Sequence, residues 1–176
     1  EADAIYEGKP IKVMPLEGAE KLVIEGESFE AFNTSGGCAT MCETYADKVE
    51  NLTYKTIRYP GHLNHMKFLF NDLHLKKNKD ILEKLFDKEV PRTKNDLIIF
   101  FVKVIGLIDG VLQEKTYLRK IYGDERFSAI QLTTASGACS ALKMFLDGKI
   151  LSKGFIKQES LSWDDFTDNK FGNVYK

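Results

Sequence analysis

The sequence predicts an α+β chain: a mixed, largely antiparallel sheet covered by helices on one face. Short β-branched and aromatic runs, separated by Gly, Pro and Asp-Gly turns, recur up to residue 60 and again over 96–122. Apolar residues three and four apart mark helices between 66 and 86, and a low-charge stretch over 127–146 reads as a longer one. At 176 residues the chain suits one domain, 1–176, and can bury about 70% of its unfolded surface without a disulfide or metal staple.

Taken in order, residues 1–9 are polar without strong periodicity, and the first residue is Glu1 rather than methionine, which suggests an excised fragment or a processed product. Residues 11–16 read as a strand ending at Glu17-Gly18, and 21–25 and 28–32 as two more around Gly26. Thr34-Ser35-Gly36-Gly37 breaks the pattern, and a helix is expected over 38–45. Leu52, Tyr54, Thr56, Ile57 and Tyr59 alternate loosely as a strand that stops at Pro60-Gly61. Met66, Leu69, Phe70 and Leu73 then line one helix face. Residues 76–79 form a charged break. Asp80 can cap the helix that follows, Ile81, Leu82, Leu85 and Phe86 supply its buried face, and Pro91 ends it.

The clearest local signal is a hairpin. Residues 96–108 and 111–122 flank Asp109-Gly110, a favoured two-residue type I′ loop. That loop pairs Leu107 with Leu112, Ile105 with Glu114, Lys103 with Thr116 and Phe101 with Leu118. One face of the first strand carries Ile98, Phe100, Val102 and Val104, the other Leu97, Ile99, Phe101 and Ile105. A strand apolar on both sides needs helices on one and a second domain or a second copy of the chain on the other. Within the helix over 127–146, residues 135–141 are all small, which lets another element approach closely. Residues 154–158 read as a returning strand, and 163–166 with 171–175 as an aromatic tail docked on the core.

Composition narrows the function classes. A net charge of -1 excludes a generally basic nucleic-acid binder, and no apolar run approaches the ~18 residues of a membrane span. Three cysteines without dense spacing fit reduced thiols in a cytoplasmic setting. Cys38 and Cys42 share a helix face, where a metal or redox pair is possible and small buried residues are the simpler reading. The sequence holds no dinucleotide-binding Gly-x-Gly-x-x-Gly, no phosphate loop, no nucleophile elbow and no zinc-protease motif. His62 and His65 lack a third ligand at metal spacing, so no metal is expected.

Two segments carry candidate chemistry. Thr34, Ser35, Gly36 and Gly37 precede an expected helix, where unhindered backbone N–H groups can receive a carboxylate. The second, residues 56–62, places Arg58 at a strand end beside Tyr59, a fixed Pro-Gly turn and His62. A guanidinium there can hold a carboxylate through two parallel hydrogen bonds, and His62 and Tyr59 are the nearest candidates for a catalytic general acid or base. Lys157 and Glu159 are weaker candidates.

These segments also carry a family resemblance. Asn33-Thr34-Ser35-Gly36-Gly37, Lys55-Thr56-Ile57-Arg58-Tyr59-Pro60-Gly61-His62, Thr133-Thr134-Ala135-Ser136-Gly137 and Gly154-Phe155-Ile156-Lys157-Gln158-Glu159 together resemble the C-terminal domain of saccharopine dehydrogenase-like oxidoreductases, in family order from about residue 17 to 175. The resemblance implies a fold akin to the C-terminal domain of glyceraldehyde-3-phosphate dehydrogenase, a homodimer, and an N-terminal Rossmann domain that binds NAD or NADP. It implies chemistry at the carbon–nitrogen bond of an amino-acid or imine substrate such as saccharopine, lysine or carboxynorspermidine. Such a substrate carries carboxylates, so Arg58 is expected to clamp one, helped by the turn at Ser35, Gly36 and Gly37. The Rossmann domain lies outside these residues, so the chain is expected to be inactive alone. The alternative is a non-catalytic assembly or amino-acid-binding module of the same fold; a Gly-x-Gly-x-x-Gly turn upstream in the parent reading frame separates the two.

Overall fold

Three two-residue turns organise the β-structure of this chain, for which a computed structural model describes residues 1–151 and 153–176. Glu7-Gly8, Glu25-Gly26 and Asp109-Gly110 all hold positive φ at both positions, from 48° to 84°. That is the requirement of the type I′ turn, whose twist matches that of paired strands. Each turn closes an antiparallel hairpin: β1 (Ala2–Tyr6) with β2 (Lys9–Val13), β3 (Glu20–Ile24) with β4 (Glu27–Phe32), and β6 (Leu97–Ile108) with β7 (Val111–Tyr122). A short β5 (Thr56–Arg58) adds to β4, giving the order β3-β4-β5.

The architecture is α+β with three small antiparallel sheets. It departs from the expected mixed sheet covered on one face: every strand pair among the described residues is antiparallel. The chain comprises two compact units, 1–91 and 92–176.

In the first unit, the stretch read as featureless is strand β1. Its apolar positions are mostly alanines, a weak signal of alternation, yet Ala2, Ala4 and Ile5 are buried. Ile5 packs with Cys38 and Cys42, and with Met41, Val49 and Leu52. The cysteines are free thiols serving as small core residues. Burial pushes the Cys38 thiol up to about 11, with Cys42 beside it adding to the rise. The five helices begin with α1 (Met41–Tyr45), α2 (His62–Lys67) and α3 (Lys79–Glu89). Helix α2 runs into a π-turn at Phe68–Asp72, which breaks the expected three-and-four periodicity. Helix α3 starts from Asn78 rather than Asp80, and only Leu82 of its apolar face is fully buried; Ile81 and Leu85 are exposed.

In the second unit the hairpin register is the one the loop dictates, with Leu107 opposite Leu112 and Phe101 opposite Leu118. Helix α4 (Ala129–Leu146) opens on a capping box between Ser128 and Gln131, and Asp96 also accepts hydrogen bonds from the Ala129 and Ile130 amides. The small residues of α4 seat the C-terminal tail. Ser140 Oγ donates to the Phe166 carbonyl at 2.5 Å, and Gly137 leaves room for the Tyr175 hydroxyl. Helix α5 (Trp163–Thr167) and a 3-10 turn at Gly172–Tyr175 complete that tail. Phe100 meets Tyr175 edge-on at 5.5 Å and Tyr117 meets Trp163 at 5.4 Å, so this face of β6 and β7 is covered by aromatic packing.

Two expectations fail here. Residues 154–158 form no strand: Gly154 is left-handed at φ 94°, and no neighbouring edge pairs with Phe155 and Ile156. Strand β6 is not buried on both faces either. Val102, Val104, Ile105, Leu107, Val111 and Leu112 at the distal end of the hairpin are all more than half exposed. Among the described residues no helix is long and apolar enough to cross a membrane.

Candidate functional site

The β4-β5 pair, the Tyr59-Pro60-Gly61 turn and the first turn of α2 bring most of the candidate residues together. Glu30 lies directly opposite Arg58 in the ladder, and Phe32 opposite Thr56. Side chains alternate along a strand, so Glu30, Phe32, Thr56 and Arg58 share one face. His62 joins them, its ring stacked over Phe32 at 6.1 Å and 20°. Thr34 is tied to the same strand through a 2.8 Å hydrogen bond between its hydroxyl and that of Thr56.

Glu30 is the residue the sequence reading missed. Its carboxylate accepts from the Gly61 amide at 3.1 Å and the Leu63 amide at 2.6 Å. These are two of the orphan N–H groups at the start of α2, and a negative charge suits that end of a helix. Glu30 thereby fixes the turn that follows Arg58. Gly61 sits in that turn at φ 96°, a conformation that disfavours any side chain. The available signal was a lone charge within Phe29-Glu30-Ala31-Phe32, a run otherwise apolar.

With the α2 amides taken by Glu30, the cation of the site is Arg58. Its side chain is exposed and donates one N–H to the Ile57 carbonyl at 3.0 Å. It forms no ion pair among the described residues. A guanidinium held on a paired strand, with its fork uncommitted to any carboxylate, is suited to an anionic group arriving from solvent.

The two acid–base candidates separate. Tyr59 follows Arg58 and so points to the other face, where its ring lies 5.6 Å from Phe29. His62 remains with Arg58. Partial burial against Phe32 holds its imidazole below the ordinary 6.5; the Arg58 charge acts the same way and Glu30 opposes it, with His65 a smaller lowering influence. A depressed value means that the unfolded chain binds the proton more readily. The stabilisation from neutral His62 is therefore present above about 6.5 and is lost as pH falls through its lower folded value. Unfolding midpoints in urea measured at pH 7.5 and pH 5 should fall toward acid, and His62→Gln should shrink that difference. An unchanged difference would mean that other groups produce it.

The glycine turn does not open a helix. Three residues separate Gly37 from α1, whose N-cap, Thr40, makes no side-chain capping hydrogen bond. Ser35, Gly36 and Gly37 are exposed. A Cβ on Gly37 would approach the Ala2 side chain to 3.1 Å, and one on Gly36 would lie 3.2 Å from the Tyr54 ring. These glycines are explained by close packing against β1 and Tyr54, and only Thr34 of the segment is bonded to the Arg58 strand. Lys157 and Glu159 belong to the second unit, at a 3-10 turn over Gln158–Ser160.

Among the described residues no group of three His, Cys, Asp or Glu is placed to hold a metal. Every strand pair among these residues is antiparallel, so they form no parallel β-α-β unit. A comparison with models of known protein families finds no match for this chain.

Proposed function

We propose that this chain is the substrate-binding and dimerisation part of a saccharopine dehydrogenase-like, NAD(P)-dependent oxidoreductase acting on the carbon–nitrogen bond of an amino-acid-derived substrate. The observation that carries the reading is Arg58: an exposed guanidinium without a carboxylate partner among the described residues, on a strand whose exit turn is pinned by Glu30. A substrate carboxylate accepts two parallel hydrogen bonds from it. Neutral His62, on the same face, can accept a proton from a substrate ammonium or return one through its ring nitrogen. Tyr59, directed away, has no part in that exchange. Cofactor binding falls to a separate dinucleotide-binding domain.

The experiment is a calorimetric titration of the chain with an amino dicarboxylate, such as glutamate, and with its dimethyl ester. The acid should bind saturably and the ester should not. Equal behaviour of the two would end the reading. Binding without turnover, once a dinucleotide-binding domain is supplied, would favour the non-catalytic module instead.

The distal half of the β6-β7 hairpin supports the dimer. Its large aliphatic side chains are exposed, and a long apolar two-stranded ribbon is an unstable surface on its own. A second copy would cover it. Light scattering at micromolar concentration should give twice the chain mass of 20.0 kDa, and Leu107→Lys/Leu112→Lys should halve it. A monomeric parent chain would remove the dimer from the proposal.

A further inference from the structure

The charged break at residues 76–79 is exposed to solvent, and three local features shape the chain that leads into it. The π-turn Phe68–Asp72 widens the helix, His74 takes a left-handed conformation at φ 54°, and Leu75–Lys77 makes a 3-10 turn. A π-turn and a left-handed non-glycine residue are both uncommon, and both concentrate where a chain is shaped for a ligand. Between them lies an open surface hollow of about 320 Å³, lined by the exposed Asn71, His74, Lys76 and Lys77 and the half-buried Phe70.

The lining contains two ammonium groups, an imidazole, an amide and an aromatic ring, and no carboxylate. Several other lysines of the chain have an acidic partner: Lys12 with Asp3, Lys55 with Glu20, Lys143 with Asp147 and Lys149 with Asp165, all within 3.2 Å. Among the described residues Lys76 and Lys77 make no ion pair. Two adjacent cations facing one hollow repel each other until an anion enters.

We propose that this hollow binds the phosphate group of a small phosphorylated molecule. A carboxylate offers two oxygens and one charge. A phosphate monoester offers three oxygens and close to two charges, enough to accept from Lys76, Lys77, His74 and the Asn71 amide together. Phe70 supplies an apolar wall for the group esterified to it. The volume, at the low end for ligand pockets, fits a small ester rather than a dinucleotide. The site is independent of Arg58.

The test is titration of the isotope-labelled chain with phenyl phosphate, with inorganic phosphate, and with vesicles of phosphatidic acid against vesicles of phosphatidylcholine. The signals of Asn71 and His74 are followed by NMR. Saturable shifts with phenyl phosphate, weakened at least tenfold by Lys76→Ala/Lys77→Ala and by raised salt, are expected. Binding to phosphatidic acid vesicles without binding to the soluble esters would assign the phosphate to a lipid headgroup. Lys76→Gln/Lys77→Gln serves as a second variant, with far-ultraviolet circular dichroism to show that the fold is kept. No saturation at millimolar phosphate in any form, or equal affinity in a folded double variant, overturns the proposal.

Discussion

Under the proposed function, Arg58→Ala should raise KM for an acidic amino substrate at least tenfold in an enzyme that joins this chain to a dinucleotide-binding domain, while kcat changes less. The size follows from the chemistry. Hydrogen bonds to a charged group contribute about 1.5–3 kcal/mol, and about 1.4 kcal/mol is a factor of ten in affinity. The effect falls on KM because a carboxylate remote from the reacting carbon is held alike before and during the reaction. Arg58→Lys keeps the charge and loses the planar fork, so it should recover only part of the affinity. Because Arg58 is exposed and, among the described residues, donates only to the Ile57 carbonyl, neither change should unfold the unit. An unchanged KM in Arg58→Ala removes this residue from the substrate site.

Gly172→Ala should destabilise the second unit by about 3 kcal/mol, a fall in melting temperature on the order of 10–20 °C for a unit of this size. The added Cβ would run into the Phe166 carbonyl oxygen and meet Ser140 Oγ at 2.9 Å. That oxygen cannot yield, since it accepts from Ser140 Oγ at 2.5 Å and from the Asn169 amide at 3.0 Å. If the tail moves instead, Tyr175 leaves the Thr133 carbonyl and Tyr117 loses the Tyr175 carbonyl, each a bond of 2.5 Å. Gly106→Ala is the control: nothing lies within 4 Å of its Cβ and its φ is not left-handed. Near-ultraviolet circular dichroism, dominated by Trp163, reads both. Equal melting of the two variants would show that the tail is not docked as described.

What the sequence disclosed depended on how local the cause was. The β6-β7 register follows from two turn residues, Asp109-Gly110, and the pairs it dictates are the pairs observed. The small stretch of α4 announced a close approach, and the tail is what approaches. The first hairpin was hidden because Ala2 and Ala4 bury little surface and leave no periodic trace. The glycine turn at Gly36-Gly37 misled for the opposite reason. Glycines before a helix suggest an open anion site, whereas here no helix opens at Gly37 and a Cβ on it would approach the Ala2 side chain to 3.1 Å. Glu30 illustrates the same limit: it caps a helix more than 30 residues away, and strand alternation alone carries no sign of that partner. Residues 154–158 show local strand preference losing to the absence of an edge to pair with.

The proposed function requires the guanidinium at position 58 to be the group that holds an acid. Its own nitrogen-bound protons report this directly. In a nitrogen-15-labelled chain titrated with glutamate, the Arg58 guanidinium signals should shift and slow their rotation, while those of Arg92, Arg119 and Arg126 stay in place and glutamate dimethyl ester leaves all four unchanged. Arg58 signals that ignore saturating glutamate, or that respond equally to the ester, would contradict it.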